Sequence, residues 1–214
     1  MEKNTLFKNL IVIEHPLVKK DLTILRDKKT STEIFRATVR RISNILAVEI
    51  SSTFSLLDFY VETPLEKTKG YKLKQSVVLI PVLRAGLGMV DGFLQLIPDA
   101  KLGHIGLERN ESTLLPNSYY LKTPKKLQSA EVILLDPMLA TGGSASAAIT
   151  SLKKRGAKNI MFACILASPE GVKRISKDHP DLIIFTAALD RQLNKKGYIL
   201  PGLGDAGDRT FGTL

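Results

Sequence analysis

The second two-thirds of the chain is punctuated by short, dense apolar runs. They fall at residues 77–83, 102–107, 131–135, 160–167 and 182–189, each rich in Val, Ile and Leu, and most lack strict alternation. Unbroken apolarity of this length is the pattern of strands covered on both faces. Stretches of helical character lie between several of them, at 87–96, 143–155 and 169–177. Strand and helix alternating in this way predict an α/β fold, a mostly parallel sheet flanked by helices. The first third reads differently. Ile34, Phe35, Thr38, Val39, Ile42, Ile45 and Leu46 recur at helical spacing, with Arg36, Arg40 and Arg41 between them. This predicts one long amphipathic helix over about 31–50, opened by the capping-box pattern of Thr30-Ser31-Thr32-Glu33.

The chain of 214 residues fits one domain over 1–214, with room for a small hood. No apolar segment approaches the ~18 residues that span a bilayer. The patch Leu10 to Ile13 is too short for a secretory signal, so a cytoplasmic protein is expected. The one cysteine, Cys164, lies within an apolar run, where a small buried hydrophobe is the expected role. A net charge of +10 suits anionic partners such as phosphorylated metabolites, pyrophosphate or nucleic acid. Much of the excess is scattered lysine, as at Lys19-Lys20 and Lys195-Lys196, which reads as solvated surface. His15, His104 and His179 show no metal-ligand spacing.

In doubly wound sheets ligands bind beyond the carboxyl ends of the strands, so the residues after each run are the candidates for chemistry. The most specific segment is Val132-Ile133-Leu134-Leu135-Asp136-Pro137-Met138-Leu139-Ala140-Thr141-Gly142-Gly143-Ser144. It reads as strand, acid, small-residue loop and helix. Gly142 and Gly143 let backbone approach an anion, Thr141 and Ser144 add hydroxyl donors, and the helix directs its amides at the loop. Asp136 would repel phosphate and suits sugar hydroxyls or a metal-bound water. A second segment, Leu79 to Met89, ends its strand in Arg84-Ala85-Gly86, where Arg84 can fork two oxygens of a pyrophosphate. Gly202-x-Gly204-x-x-Gly207 formally matches a dinucleotide fingerprint. Only seven residues follow it, too few to complete the strand–helix–strand unit.

These segments together resemble the type I phosphoribosyltransferase family, and within it the uracil-specific members, from roughly residue 11 onward. Most of that family carries two adjacent acids at the loop's start, whereas here Pro137 follows Asp136. The variant Asp-Pro-Met-Leu-Ala-Thr-Gly-Gly-Ser is similar to the uracil-specific form. Thr30 to Arg36 and Val61 to Leu65 also resemble these members.

The resemblance implies a hood formed by N-terminal and C-terminal segments. It implies transfer of the phosphoribosyl group from phosphoribosyl pyrophosphate to uracil, giving UMP and pyrophosphate. The sugar donor falls to Arg84, Arg109, Asp205 and the loop Asp136, Pro137, Met138, Leu139, Ala140, Thr141, Gly142, Gly143 and Ser144. Uracil falls to Ile199, Gly204, Asp205 and Ala206, and catalysis to Arg84, Arg109, Asp136 and Asp205. Tyr198 is left open between packing near the base and a core role. Mg2+ is the implied cofactor, held mainly by substrate pyrophosphate and water rather than by protein ligands. Leu114 to Lys125 is expected as a flap over the site. Glu108 departs from the uncharged or aromatic residue expected beside Arg109, and a carboxylate there is unfavourable unless it points away or faces Mg2+. A homo-oligomer and a GTP effector are implied too, with neither membrane nor nucleic acid as a partner. Two alternatives stand beside this reading. A related enzyme for another base is opposed by the 198–208 segment, and a regulator binding RNA by the complete set of loops.

Overall fold

A computed structural model of the chain describes residues 7–109 and 116–213. A central sheet runs β1 (Leu10–Val12), β11 (Ile183–Leu189), β10 (Asn159–Ala167), β8 (Ala130–Leu135), β4 (Ser76–Leu83), β6 (His104–Arg109), β7 (Pro116–Lys122). All neighbours on this path pair in parallel except β6 and β7. Two short strands lengthen it: β5 (Lys101–Leu102) beside β4, and β9 (Met138–Leu139) beside β10.

The continuous apolar runs have a direct cause, because both faces of the sheet are buried. Leu79, Ile133, Met161, Ala163 and Phe185 face one core. Their chain neighbours Val78, Ile80, Val132, Leu134, Phe162 and Ile184 face the other. Side chains alternate across a strand with a period of two, so a strand covered twice must be apolar at every position. The first core is completed by α1 (Pro16–Arg26), α2 (Thr32–Ser51) and α3 (Leu87–Leu96). The second is completed by α4 (Gly143–Lys154) and α5 (Pro169–Asp178).

The long helix forms where its periodicity predicts, but its cap differs. Ser31 is the N-cap, accepting from the Ile34 amide at 3.4 Å. Thr30 instead donates its hydroxyl to the Ile24 carbonyl at 2.6 Å. Glu33 therefore sits one position short of the reciprocal capping-box partner. A hairpin of β2 (Leu56–Glu62) and β3 (Lys67–Leu73) forms where the sequence pattern assigns no element. Nearly every residue in it is exposed on both faces, so burial imposes no alternation by which its sequence could be read.

The C-terminal segment folds back over α1. It carries β12 (Gln192–Leu193), β13 (Ile199–Leu200) and the six-residue α6 (Ala206–Phe211). Arg26 fastens it, donating to both carboxylate oxygens of Asp190 at 2.6 and 2.8 Å and to the Gly202 carbonyl at 2.9 Å. Buried Arg209 donates to the carbonyls of Leu203 at 2.7 Å, Asp27 at 2.6 Å, and Leu25. Its guanidinium also lies 4.4 Å over the Phe35 ring. These bonds make the expected hood out of an N-terminal helix and a C-terminal loop.

Candidate active site

Four loops leave the carboxyl ends of the parallel strands on the same edge. Arg84 follows β4, Asp136 follows β8, Ser168 follows β10 and Asp190 follows β11. A cleft of about 320 Å³ opens there. Its walls are Ala85 from the first loop, Asp136, Met138 and Ala140 from the second, and the hood from Lys196 to Ile199 and from Gly204 to Gly207.

The Asp136 loop is held rigidly from below. The Pro137 carbonyl accepts from the amides of Ile165 and Leu166, each at 3.0 Å. Ser168 donates its hydroxyl to the Ala140 carbonyl at 2.6 Å while accepting from the Gly171 amide at 2.9 Å. One side chain thus caps α5 and pins the loop. Gly142 is the N-cap of α4 with φ 75°, and an added Cβ would stand 2.9 Å from the Gly171 carbonyl oxygen. Both the backbone angle and the lack of space select glycine. No side chain caps α4, and the hydroxyl-bearing Thr141 and Ser144 are exposed beside its first turn. A helix start of this kind, with free amides and hydroxyls beside it, can receive a phosphate. Behind it, Ser146 donates to Asp178 at 2.7 Å and buried His179 lies within 3.1 Å of the Ser146 carbonyl, tying α4 to α5.

Asp136 reaches the cleft surface but is otherwise enclosed by protein. Burial pushes its pKa up to about 7, opposed by the hydrogen bond it accepts from the Met138 amide at 3.2 Å. Cys164 lies behind it, fully buried as expected, and burial pushes its thiol up to about 12.

Arg84 comes from a tight loop. Gly86 packs so closely on the end of β8 that a Cβ would stand 2.3 Å from the Leu135 carbonyl oxygen. The Leu83–Arg84 peptide is cis. The Arg84 side chain does not line the cleft. It turns to α6, with Nη2 3.5 Å from Asp208 and the guanidinium 5.7 Å from the Phe211 ring.

The expected base residues do converge. Ile199, Gly204, Asp205 and Ala206 all line the cleft that Asp136 lines. Asp205 is the N-cap of α6, accepting from the Asp208 amide at 2.9 Å, which engages one of its oxygens. Tyr198 lines the cleft and is half exposed, which removes it from the core. Arg109 ends β6, and its side chain lies outside the described residues, as does that of Glu108. Of the expected flap, Leu114 and Leu115 lie outside them too, while Pro116–Lys122 is the strand β7, paired antiparallel with β6. Three further residues matter here that the sequence pattern does not single out: Lys196 and Gly197, which line the cleft, and Asp190, which anchors the hood. The signal for the first two in the sequence is the cationic tip Lys195-Lys196-Gly197, which looks like the scattered lysine surface elsewhere in the chain.

Comparison with known proteins bears on this arrangement. The family model described as uracil phosphoribosyltransferase matches residues 12–213. A uracil phosphoribosyltransferase of Acholeplasma laidlawii is 53% identical over 204 residues, covering 95% of this chain and 98% of that protein. One of Enterococcus faecalis is 54% identical over 203 residues, covering 94% and 97%. A solved Aquifex aeolicus protein superposes with a TM-score of 0.89 at 37% identity, covering 94% of this chain and 97% of that one. A Bacillus anthracis hypoxanthine-guanine phosphoribosyltransferase superposes over 74% of this chain and 80% of its own at 14% identity, with a TM-score of 0.52, a likeness of fold alone. Matched along nearly its whole length by that family model and by these relatives, the chain belongs to the uracil phosphoribosyltransferase family.

Proposed function

We propose that this chain transfers the phosphoribosyl group of phosphoribosyl pyrophosphate to uracil, giving UMP and pyrophosphate. One observation carries the reading. The acid of the glycine loop, Asp136, and the hood residues Ile199, Gly204 and Ala206 line a single cleft. A sugar phosphate held by the loop and a base held by the hood would therefore meet. Enforced proximity of this kind supplies much of the barrier reduction in a two-substrate displacement.

The loop amides and the hydroxyls of Thr141 and Ser144 would hold phosphate, and ionised Asp136 would accept from the sugar hydroxyls. Arg84, and Arg109 with it, would stabilise charge building on the leaving pyrophosphate. For Arg84 this means release from Asp208. Among the described residues no group of three or more His, Cys, Asp or Glu could hold a metal ion. Asp136 and Asp205 nevertheless put two carboxylates on the cleft, which fits a Mg2+ that keeps its waters and is held mainly by substrate oxygens. When bound, that ion would neutralise pyrophosphate charge. The hood's backbone would recognise the base edge. Cytosine would leave its buried polar groups unpaired and be rejected.

The test is conversion of radiolabelled uracil with phosphoribosyl pyrophosphate and Mg2+, beside cytosine, hypoxanthine and orotate. UMP from uracil alone is expected. Product from another base would overturn the specificity, and no product from any base would overturn the reaction. A cytoplasmic homo-oligomer and a GTP effector complete the proposal. Exposed apolar residues on the hairpin, Phe59, Tyr60, Val61 and Tyr71, support self-association. No helix among the described residues is long and apolar enough to cross a membrane. Sedimentation with and without GTP tests both the oligomer and the effector.

A further inference from the structure

Attack by uracil on the sugar requires N1 to give up its proton, and negative charge then spreads over the ring and its carbonyl oxygens. The cleft is poorly suited to that charge in one respect, because Asp136 and Asp205 both line it. No histidine is at hand to take the proton. His15 caps α1 by accepting from the Leu17 amide, His104 lies in β6, and His179 is buried between α4 and α5. Among the described residues that line the cleft there is one cation, Lys196.

The loop that carries Lys196 has a defined shape. The Asn194 side-chain oxygen accepts from the amides of Lys196 at 2.8 Å and Tyr198 at 3.0 Å, and the Gly197 amide donates to the Asn194 carbonyl at 2.9 Å. Its tip faces the glycine loop, since a Cβ on Gly197 would stand 3.7 Å from Thr141 Cγ2. Lys196 is therefore presented from the same turn as Tyr198 and Ile199, which line the cleft with it. Lys195, its neighbour of equal charge, does not line the cleft.

We propose that Lys196 is a catalytic residue of the uracil half-site, its ammonium stabilising the negative charge that develops on the base when N1 is deprotonated. This rests on the proposed uracil transfer. In the step, the N1 proton passes to solvent water. The N1 electron pair forms the bond to the anomeric carbon, and the bond from that carbon to the pyrophosphate oxygen breaks, its electron pair leaving with pyrophosphate. Lys196 stays protonated throughout. A cation lining the cleft where charge develops stabilises that charge, and it also offsets the two carboxylates nearby.

The experiment compares Lys196→Met, Lys196→Arg and Lys195→Met on uracil and on 5-fluorouracil, whose electron-withdrawing fluorine makes N1 more acidic. Lys196→Met is expected to lower kcat/KM for uracil by about 10²-fold, the scale of losing one preorganised charge-stabilising group. Its loss on 5-fluorouracil should be several-fold smaller, because that base needs less help to carry charge. KM for phosphoribosyl pyrophosphate should hold within about twofold, Lys196→Arg should recover most of the activity, and Lys195→Met should match wild type. Equal losses on the two bases, a loss below threefold, or a loss confined to KM for the sugar donor would overturn the role. Wild-type protein that turns over neither base would instead overturn the proposed reaction, and this role with it. Unchanged thermal unfolding of the variants, expected for a side chain this exposed, separates all of these outcomes from misfolding.

Discussion

Arg84 and Asp208 meet across the edge of the site, Nη2 to Oδ1 at 3.5 Å, with Thr213 donating to the same Asp208 oxygen at 2.7 Å. The pair links the loop after β4 to α6, whose first residues form a wall of the cleft. An arginine recruited to pyrophosphate must leave this partner. The pair is exposed, so the exchange costs little, on the order of 1 kcal/mol or less. Asp208→Asn is accordingly expected to shift KM for phosphoribosyl pyrophosphate by less than about fivefold. Arg84→Ala should lower turnover by roughly 10²–10³-fold. Steady-state kinetics check both, and an Arg84→Ala loss below threefold would remove Arg84 from the site.

Asp136 carries a pH signature. Its folded pKa of about 7 lies above the usual carboxylate range because burial disfavours the charge. The sign follows from linkage. The folded state binds this proton more tightly than the unfolded state, so stability falls as pH rises from about 4 to about 7 and levels off above that. Asp136→Asn should remove the penalty. It should raise stability at pH 8 by on the order of 1–2 kcal/mol, reduced from the full shift because the cleft admits water, with no gain at pH 4. Thermal unfolding at the two pH values measures this.

The same group should govern catalysis in the opposite sense. If ionised Asp136 accepts from the sugar hydroxyls, kcat/KM for the sugar donor rises with pH through about 7. The Asn variant should be weakly active and flat over that range. A wild-type profile with no inflection between pH 6 and 8 would contradict the assignment.

Gly142→Ala tests the loop. The new methyl would sit at φ 75° and 2.9 Å from the Gly171 carbonyl oxygen, so α5 or the loop must move. A destabilisation of about 1–3 kcal/mol is expected, with a larger loss of affinity for the sugar donor than for uracil. Unfolding and separate KM values report the two effects.

Arg26→Leu tests the hood. It leaves the Asp190 carboxylate, 4% exposed, without its cation. Removing one partner of a pair this buried costs about 3–5 kcal/mol. The Gly202 carbonyl loses a donor as well, so KM for uracil should rise more than KM for phosphoribosyl pyrophosphate.

Local chemistry made much of this protein legible from its sequence. Strands buried on both faces announce themselves as unbroken apolar runs, as at Val132–Leu135, and the acid and glycines after that run have few other uses. The hood residues Ile199, Gly204 and Ala206 were placed by resemblance, and the fold brings them to the cleft. Other features depend on contacts distant in sequence. The hairpin at 56–73 is exposed on both faces and carries no burial pattern to read. Thr30 lost the cap to Ser31 because the Ile24 carbonyl was within reach of its hydroxyl. Lys195 and Lys196 are equivalent as sequence, and only the turn held by Asn194 decides which of them lines the cleft. The chain's own pattern determined its elements and the chemistry at their ends, because burial period and backbone conformation are local demands. Tertiary structure decided which of those ends meet, how Arg84 is held, and how far Asp136 is removed from water, because these depend on what the rest of the fold packs against them.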